Sequence, residues 1–234
     1  MISMTEIELR RGTKVLLSDA ELVIHPGQHI GIIGANGCGK SSLFKLLLGQ
    51  LVPDAGNLFI PSDWRIAHMA QELASSERSV LDYVLDGDPE LRRAEAAIEQ
   101  ARLGYSEGGI PIGSVLVIDG EIVGRGHNRR VQRGSAILHA EMDCIENAGR
   151  LNASDYRQSV IYSTLSPCSM CSGAILLYRI PKVVVGEHQT FQGPEDHLRT
   201  QGVVVELINS SDCIELMKRF IRESPSLWDE DIGE

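Results

Sequence analysis

The sequence lacks an apolar run long enough to cross a membrane, and its first residues lack the charged, apolar and cleavage regions of a signal peptide. It has only five cysteines in 234 residues, a number that does not indicate a disulfide framework. It also lacks an excess of positive charge, because 32 acidic side chains outnumber 22 basic ones. The net charge of −10 repels polyanions and disfavours a nucleic-acid substrate. We therefore expect a cytoplasmic protein with reduced cysteines and no membrane partner.

The strongest chemical signal lies between His139 and Cys171. H-A-E at 139–141 is followed by S-P-C-S-M-C at 166–171, the histidine, carboxylate and P-C-x-x-C pattern of the zinc nucleobase deaminases. One imidazole (His139) and two thiolates (Cys168 and Cys171) supply three zinc ligands and leave a fourth position open for water. Bound zinc lowers the pKa of that water, so that hydroxide forms at neutral pH. Glu141 is then free to take the proton and pass it to the ring nitrogen and the leaving amine.

The spacing of the two cysteines fits this chemistry. Cys168 and Cys171 lie within one helical turn, and Pro167 suits the opening of a helix whose dipole favours thiolates. A redox pair or a structural zinc site is the alternative interpretation. A redox pair should occur in a thioredoxin-like context, and a structural zinc needs a fourth ligand at close spacing; the sequence shows neither. We expect the other cysteines to be reduced and inert: Cys38, Cys144 and Cys213.

A second motif near the N-terminus indicates a different chemistry. Residues 34–41 read G-A-N-G-C-G-K-S, a complete phosphate-loop pattern between a predicted strand at 29–33 and a predicted helix that ends at Gly49. Its glycines let backbone N–H groups surround a phosphate, while Lys40 reaches the outer phosphates and Ser41 binds Mg²⁺. The candidate nucleotide-binding residues of this loop are Gly34, Asn36, Gly37, Gly39, Lys40, Ser41 and Ser42.

Residues 1–90 resemble the first nucleotide-binding half of F-type ATP-binding-cassette proteins. The shared text comprises R-R-G-T-K-V-L-L, H-P-G-Q, the phosphate loop, L-x-P-D-x-G at 51–56 and M-A-Q-E at 69–72. The resemblance implies that Gln71 approaches the Mg²⁺ of a bound ATP. It stops before an L-S-G-G-Q signature, an apolar strand ending in D-E and a switch histidine. We therefore expect a truncated P-loop subdomain, a remnant that binds ATP weakly at most and does not hydrolyse it; the alternative is a cassette fragment whose nucleotide binding is its main role.

The rest of the chain alternates helices with strands. Residues 90–107 predict an amphipathic helix, an Asp119-Gly120 turn joins strands at 114–118 and 121–125, and a helix over 138–148 carries His139 and Glu141 in its first turn. Further strands are predicted at 160–164, 182–186 and 203–208, with a late helix at 213–222. We predict an α/β protein in which a truncated segment, residues 1–90, precedes a three-layer α/β/α domain, residues 91–234.

Residues 94–234 resemble the small fungal-type cytosine deaminases of the cytidine deaminase superfamily. The shared text comprises G-Y-x-E-G-G-x-P-I-G, G-R-G-H-N, G-S-A-x-L-H-x-E, T-L-S-P-C-x-M-C-x-G-A-I and the tail W-x-E-D-I-G-E. The resemblance implies a homodimer with one zinc per subunit. It implies conversion of cytosine to uracil and ammonia, as in pyrimidine salvage.

Residue by residue, the resemblance assigns zinc to His139, Cys168 and Cys171 and proton transfer to Glu141. Asn128 and Asp231 would hydrogen-bond the pyrimidine edge and the amine. The backbone N–H groups of Ala140, which replaces the fungal glycine, and of Cys168 would lie near the ring carbonyl and the oxyanion. The apolar walls around the ring would be Ile112, Leu165, Phe191 and Trp228.

Some of these residues have ordinary alternatives. Taken alone, Asn128 is typical of a turn, Phe191 and Trp228 of a core, and Asp231 of a solvated terminus. The W-x-E-D-I-G-E tail favours a site role for Trp228 and Asp231. In the families that the chain resembles, this tail separates free-base cytosine deaminases from tRNA adenosine deaminases, which have the same zinc motif. Deamination of guanine or of a tRNA adenosine is the alternative activity.

Overall fold

The structure is a computed structural model that describes residues 1–62, 64, 66–68 and 79–233. It forms two compact units, Met1–Gln71 and Glu72–Glu234. Within the described ranges, no helix combines the length and the apolar character needed to cross a membrane.

The two units divide earlier in the chain than the predicted boundary after residue 90. A short helix, α2 (Val80–Leu85), is held to α3 (Pro89–Ser106) because Arg92 binds Asp82 at 3.1 Å and Asp86 at 2.8 Å. These ion pairs attach the segment before α3 to the second unit. The boundary between two ancestral domains at residue 90 stays a prediction.

The N-terminal unit contains an antiparallel sheet and a helix. The strand order is β2-β1-β3, and the elements are β1 (Ile2–Arg11), β2 (Lys14–Ile24), α1 (Lys40–Leu47) and β3 (Ala55–Phe59). A small core of Met4, Ile7, Leu43 and Leu46 joins the helix to the sheet.

The strand predicted at 29–33 is wrong. This segment has no strand structure, and the Ile33 side chain is 95% exposed. A buried strand needs neighbours that pair with it, whereas the described strands of this unit pair only with one another. The parallel sheet that leads into a phosphate loop in a P-loop fold is therefore not confirmed.

The second unit is built on a mixed sheet with the strand order β5-β4-β6-β7-β8 over the described residues. Its strands are β4 (Gly113–Ile118), β5 (Glu121–His127), β6 (Ser159–Leu165), β7 (Lys182–Glu187) and β8 (Val204–Leu207). Strands β5, β4 and β6 are antiparallel neighbours, and β6, β7 and β8 run parallel. The predicted strands of this unit lie within two residues of these bounds.

Helices cover both faces of this sheet. Besides α3 they are α4 (Arg130–Arg133), α5 (Ala140–Ala148), α6 (Ala153–Tyr156), α7 (Ser169–Tyr178), α8 (Glu195–Thr200), α9 (Ser211–Glu223) and α10 (Pro225–Ile232). Successive residues of β4 point to opposite faces, so Val115 packs in a core with Ala97 of α3 and Leu116 packs in a core with Cys144 of α5. The predicted α/β class, with helices on both faces of the sheet, is confirmed for this unit.

Two glycines bring α5 onto the sheet and thereby place the candidate site. A Cβ added at Gly126 would lie 2.2 Å from the backbone nitrogen of Cys144, and one at Gly124 would lie 2.5 Å from its carbonyl oxygen. The G-R-G-H-N stretch therefore needs glycine at both positions because the helix backbone rests directly on β5. This contact fixes the helix that follows His139.

Candidate active site

The three candidate metal ligands come from the starts of two helices. His139 is the N-cap residue of α5 and so lies just before the first turn, not within it as predicted. Cys168 is the N-cap residue of α7, and Cys171 lies in the first turn of that helix. Their ligand atoms all lie within 4.8 Å of one another, and His139 Nδ1 lies 3.5 Å from Cys168 Sγ. Ligands at about 2.0–2.3 Å from a tetrahedral zinc lie roughly 3.3–3.8 Å apart, so the distance between His139 Nδ1 and Cys168 Sγ suits one shared ion.

The charges within this cluster are strongly coupled. A hydrogen bond from the Cys171 thiol, with further help from His139, lowers the pKa of Cys168 to about 4 against the opposing effect of burial. The same hydrogen bond and burial raise the pKa of Cys171. Burial alone would lower the pKa of His139, but the hydrogen bond with Cys168 and the charge of Asp231 leave it raised. A thiolate beside an imidazole and a second thiol is the donor set of a catalytic zinc site, so these residues fit a zinc ion.

Glu141 lies beside the three ligands in the first turn of α5. Its side chain is buried, and burial raises its pKa, with a further contribution from the negative charge of Cys168. The Ser163 hydroxyl of β6 donates a hydrogen bond to Glu141 Oε1 at 2.9 Å. A raised pKa and a fixed carboxylate suit a group that accepts and returns a proton.

The C-terminal helix brings Asp231 to the same place. Asn128 Nδ2 donates to Asp231 Oδ1 at 3.0 Å and to Oδ2 at 3.2 Å, and Asp231 Oδ1 lies 3.8 Å from His139 Nε2. Asp231 is 3% exposed at its side chain, so it is not the solvated terminal residue of the alternative interpretation. Two side chains 103 positions apart in the sequence thus meet beside the candidate metal ligands.

A small pocket opens beside these groups. Its polar lining is His139, Glu141, Ser166, Cys168 and Asp231, and its apolar lining is Ile112, Leu165, Phe191, Trp228 and Ile232. Phe191 and Trp228 meet edge to face, with ring centroids 6.0 Å apart and an interplanar angle of 86°. All four predicted wall residues therefore line one cavity, whereas Ala140 is fully buried in the adjoining core.

The sequence reasoning missed several residues of this site. Ser163, Arg130 and Ile232 each contact or line it, and Ser166 joins it to Glu195, whose Oε1 accepts from Ser166 Oγ at 2.9 Å. A weak signal existed for Ser163 alone, since alternate residues of a strand share a face with Leu165. Arg130 and Glu195 reach the site through contacts between distant parts of the chain.

Two of the cysteines outside the cluster are buried. Burial raises the pKa of Cys144 to about 12 and that of Cys213 to about 11, which suits the unreactive thiols that were predicted. Cys38 is exposed.

The N-terminal phosphate loop forms an exposed turn that leads into α1. Lys40 Nζ donates to the carbonyl oxygens of Gly34 at 2.7 Å and Ala35 at 2.9 Å, so its ammonium group lies within the curve of the loop. Gly37 and Gly39 adopt positive φ angles of 76° and 107°. The other predicted residues of the loop are Asn36 in this turn and Ser41 and Ser42 in the first turn of α1. Gln71 lies outside the described residues. Nucleotide binding at this loop stays a prediction.

Comparison with known proteins relates the second unit to deaminases. Residues 90–187 match the family model described as the cytidine and deoxycytidylate deaminase zinc-binding region. A cytosine deaminase of Candida albicans is 54% identical over 141 residues, which cover 60% of this chain and 94% of that protein. A tRNA-specific adenosine deaminase of Streptococcus pyogenes is 39% identical over 140 residues, which cover 55% of this chain and 87% of that protein.

A different relative and a solved structure extend the comparison. YheS of Escherichia coli, described as a probable ATP-binding protein, is 42% identical over 101 residues, which are 43% of this chain but only 16% of YheS. The chain therefore spans a small part of that relative. The crystal structure of a variant of NE0047 in complex with 8-azaguanine aligns with a TM-score of 0.52 at 18% identity, over 67% of this chain and 100% of the other. That likeness shows a shared fold.

Proposed function

Because the chain belongs to the cytidine and deoxycytidylate deaminase family and is a zinc-dependent nucleobase deaminase, we propose that residues 91–234 convert free cytosine to uracil and ammonia. We propose that they do so as a homodimer, in pyrimidine salvage. The observation that carries the choice of substrate is the C-terminal helix α10, which supplies both Trp228 and Asp231 to the pocket beside His139. The 54% identity to the Candida albicans cytosine deaminase, over nearly all of that protein, supports the same choice.

The proposed chemistry divides between a metal and a glutamate. A zinc ion held by His139, Cys168 and Cys171 would supply a Lewis-acidic centre with an open position at which water loses a proton at neutral pH. Glu141 would accept that proton and deliver it to the ring nitrogen; it would then take the remaining proton from the hydroxyl added to the ring carbon and transfer it to the departing amine. Burial, which raises the pKa of Glu141, favours the protonated state between these transfers. Cytosine and water are thereby converted to uracil and ammonia.

The walls and the polar edge of the pocket position the ring. Asp231 accepts a hydrogen bond from the exocyclic amine of cytosine, and Asn128 contacts the pyrimidine edge. Phe191 and Trp228 enclose the ring from one side with their edge-to-face pair, and Ile112 and Leu165 add apolar surface. Flat nucleobases are bound in this way, by apolar walls with a few directed polar groups.

The lining of the pocket and the net charge of the chain favour a free base over a base within RNA. Trp228, Asp231 and Ile232 of α10 line this small pocket together with the candidate metal ligands His139 and Cys168, so a ribose and its phosphates would compete with the helix for space. The net charge of −10 also opposes association with a polyanion. The tRNA adenosine deaminase of Streptococcus pyogenes shares less of its sequence with this chain, so we rank a tRNA substrate second.

A substrate panel with a matched pair of variants tests the proposal. Zinc-loaded full-length protein is given cytosine, guanine or an adenosine-containing tRNA anticodon stem-loop, and ammonia release is measured. We expect cytosine to be consumed, and we expect Glu141→Ala to lower kcat by roughly 10²- to 10⁴-fold at unchanged zinc content, the usual contribution of general acid–base catalysis.

Glu146→Ala is the control, because Glu146 lies exposed on the same helix, α5. Its kcat should equal that of the parent. A chelator should abolish ammonia release and zinc should restore it. A folded, zinc-loaded protein that leaves cytosine intact, or that acts faster on the stem-loop or on guanine, contradicts the proposal.

The N-terminal unit carries a second proposal, that residues 34–42 bind ATP with Mg²⁺ weakly and without hydrolysis. It is supported by the likeness to YheS and by the position of the Lys40 ammonium within the curve of the loop. Gly37 and Gly39 give the loop the left-handed turns that such loops use to point N–H groups inward.

A further inference from the structure

We infer that Arg130 is a positioning residue that holds Asp231 and Asn128 in the orientation needed to bind the exocyclic amine of the substrate. The inference rests on the proposed function, because it concerns how the proposed cytosine site distinguishes an aminated ring. Arg130 lies two residues after Asn128, at the start of the short helix α4, and does not itself line the pocket.

The guanidinium group clamps the C-terminal helix at two points. Arg130 Nη1 donates to Asp231 Oδ1 at 2.8 Å and to the carbonyl oxygen of Glu230 at 3.0 Å. The ion pair is largely removed from solvent, since the side chain of Arg130 is 21% exposed and that of Asp231 is 3% exposed. An arginine that binds both the carboxylate and the adjacent backbone carbonyl fixes the position of the carboxylate and its side-chain torsion angle.

The backbone of Arg130 fixes the second polar group. Its N–H donates to Asn128 Oδ1 at 3.1 Å, so the oxygen of the Asn128 amide is already used. The amide must then turn its NH₂ group towards Asp231, which accepts from it at 3.0 and 3.2 Å. Arg130 therefore orients both Asp231, which is proposed to bind the amine, and Asn128, which is proposed to contact the pyrimidine edge.

This arrangement leaves the carboxylate able to accept one more donor. Within the described part of the chain, Asp231 Oδ1 accepts from Arg130 and Asn128, and Oδ2 accepts from Asn128. An ionised carboxylate has about four acceptor positions, so an amine N–H can be added without displacing either partner. Without the guanidinium, the carboxylate would keep the neutral amide of Asn128 as its hydrogen-bond partner among the described residues. Its orientation would be less firmly fixed and its buried negative charge less well compensated.

The first test separates amine recognition from general damage to the pocket. Arg130→Ala and Arg130→Lys are compared with Arg133→Ala, an exposed arginine on the same short helix. KM and kcat are measured with cytosine, and the inhibition constant is measured with pyrimidin-2-one, which has the same ring without the amine. We expect Arg130→Ala to raise KM for cytosine by roughly ten- to a hundredfold, the range for loss of a charged hydrogen bond.

The matched measurements should change much less. In Arg130→Ala, the inhibition constant for pyrimidin-2-one should stay within about twofold of the parent value, and Arg133→Ala should behave as the parent. Arg130→Lys should show a smaller rise in KM than Arg130→Ala, because lysine keeps the positive charge but lacks the planar guanidinium with its several N–H donors. Equal losses for cytosine and pyrimidin-2-one would overturn the inference, since Arg130 would then shape the pocket as a whole. If the parent protein does not deaminate cytosine, that result contradicts the proposed function and not the role of Arg130.

A double-mutant cycle decides the inference even if Arg130→Ala folds poorly. In an Asp231→Asn background the partner of the guanidinium has lost its charge, so replacing Arg130 by lysine should change KM little beyond the effect of Asp231→Asn itself. Additive effects of the two substitutions on KM would show that Arg130 acts independently of Asp231 and would overturn the inference.

Discussion

Glu141 is the residue whose surroundings decide the chemistry most directly. It is 3% exposed, and the buried hydroxyl of Ser163 holds one of its two oxygens at 2.9 Å. A carboxylate that is free to rotate would lose the alignment that proton transfer over a short distance requires. Ser163 thus has a role that depends on its hydroxyl and not on its volume.

Replacing Ser163 by alanine should therefore lower kcat with little effect on KM or on zinc content. The expected loss is roughly tenfold or more, as for a hydrogen bond to a charged group. Ser163→Thr keeps the hydroxyl and should retain most of the rate. Steady-state kinetics with cytosine and metal analysis measure both quantities.

The control for this prediction is Ser159→Ala. Ser159 is buried on the same strand, but its hydroxyl donates to the carbonyl oxygen of Tyr156, away from the site. It should reduce stability without a selective loss of kcat. If the two alanine variants lowered kcat equally, the hydroxyl of Ser163 would have no particular role.

The difference between what could and could not be predicted is sharp at this scale. Cys168 and Cys171 could be paired from the sequence because they lie three positions apart, within one turn at the start of one helix. The bond from Ser163 to Glu141 spans 22 positions and that from Arg130 to Asp231 spans 101, and no local pattern encodes either. Such partners follow from the order in which strands and helices pack.

Among the elements, the segment between β7 and α8 has the most direct effect on the pocket, because it carries Phe191. Both of its ends are held by buried carboxylates. Glu187 accepts from the backbone N–H groups of Gln189 and Thr190 and from the Thr190 hydroxyl. Glu195 joins Ser166, His188 and Arg199. The segment is thus tied to the strand before it and to the helix after it.

Two adjacent carboxylates allow a matched test of this anchor. Glu195 is 1% exposed at its side chain and binds Arg199 at 3.0 Å, whereas Asp196 binds the same arginine at 3.0 Å but is 94% exposed. Glu195→Gln should lower the free energy of unfolding by about 1–3 kcal/mol, because the buried carboxylate that pairs with Arg199 is replaced by a neutral amide. It should also raise KM for cytosine, since Phe191 is less firmly placed.

Asp196→Asn should change the free energy of unfolding by less than about 0.5 kcal/mol, as exposed substitutions usually do. Urea denaturation and steady-state kinetics provide the two measurements. An unchanged KM in a clearly destabilised Glu195→Gln variant would show that the anchor stabilises the fold without placing Phe191.

The elements themselves were predictable to different degrees. The strands of the second unit follow from apolar runs bounded by turn residues, and their neighbours exist, so they form where the pattern places them. The apolar run at 29–33 has the same local character, yet it does not form a strand because the described part of its unit offers it no partner. A strand is a property of a sheet, and the pattern of one segment cannot show whether the sheet is complete.

For the molecule as a whole, the proposed deaminase needs only the second unit. The three candidate ligands, Glu141, the pocket walls and their supporting partners all lie in α3 or later in the chain. The phosphate loop lies in the first unit, which has its own sheet and its own small core. We therefore expect the two proposed activities to be separable.

Truncation tests this separation, and the structure indicates where to cut. A protein of residues 79–234 should deaminate cytosine with kcat/KM within about twofold of the full chain. A protein of residues 90–234 should do the same but unfold at a lower temperature, because Arg92 loses Asp82 and Asp86.

Conversely, Lys40→Ala in the full chain should remove the thermal shift caused by ATP with Mg²⁺ and leave kcat/KM for cytosine unchanged. Loss of deamination in a folded, zinc-loaded 79–234 protein would contradict separability, and an ATP shift that survives Lys40→Ala would contradict nucleotide binding at the loop.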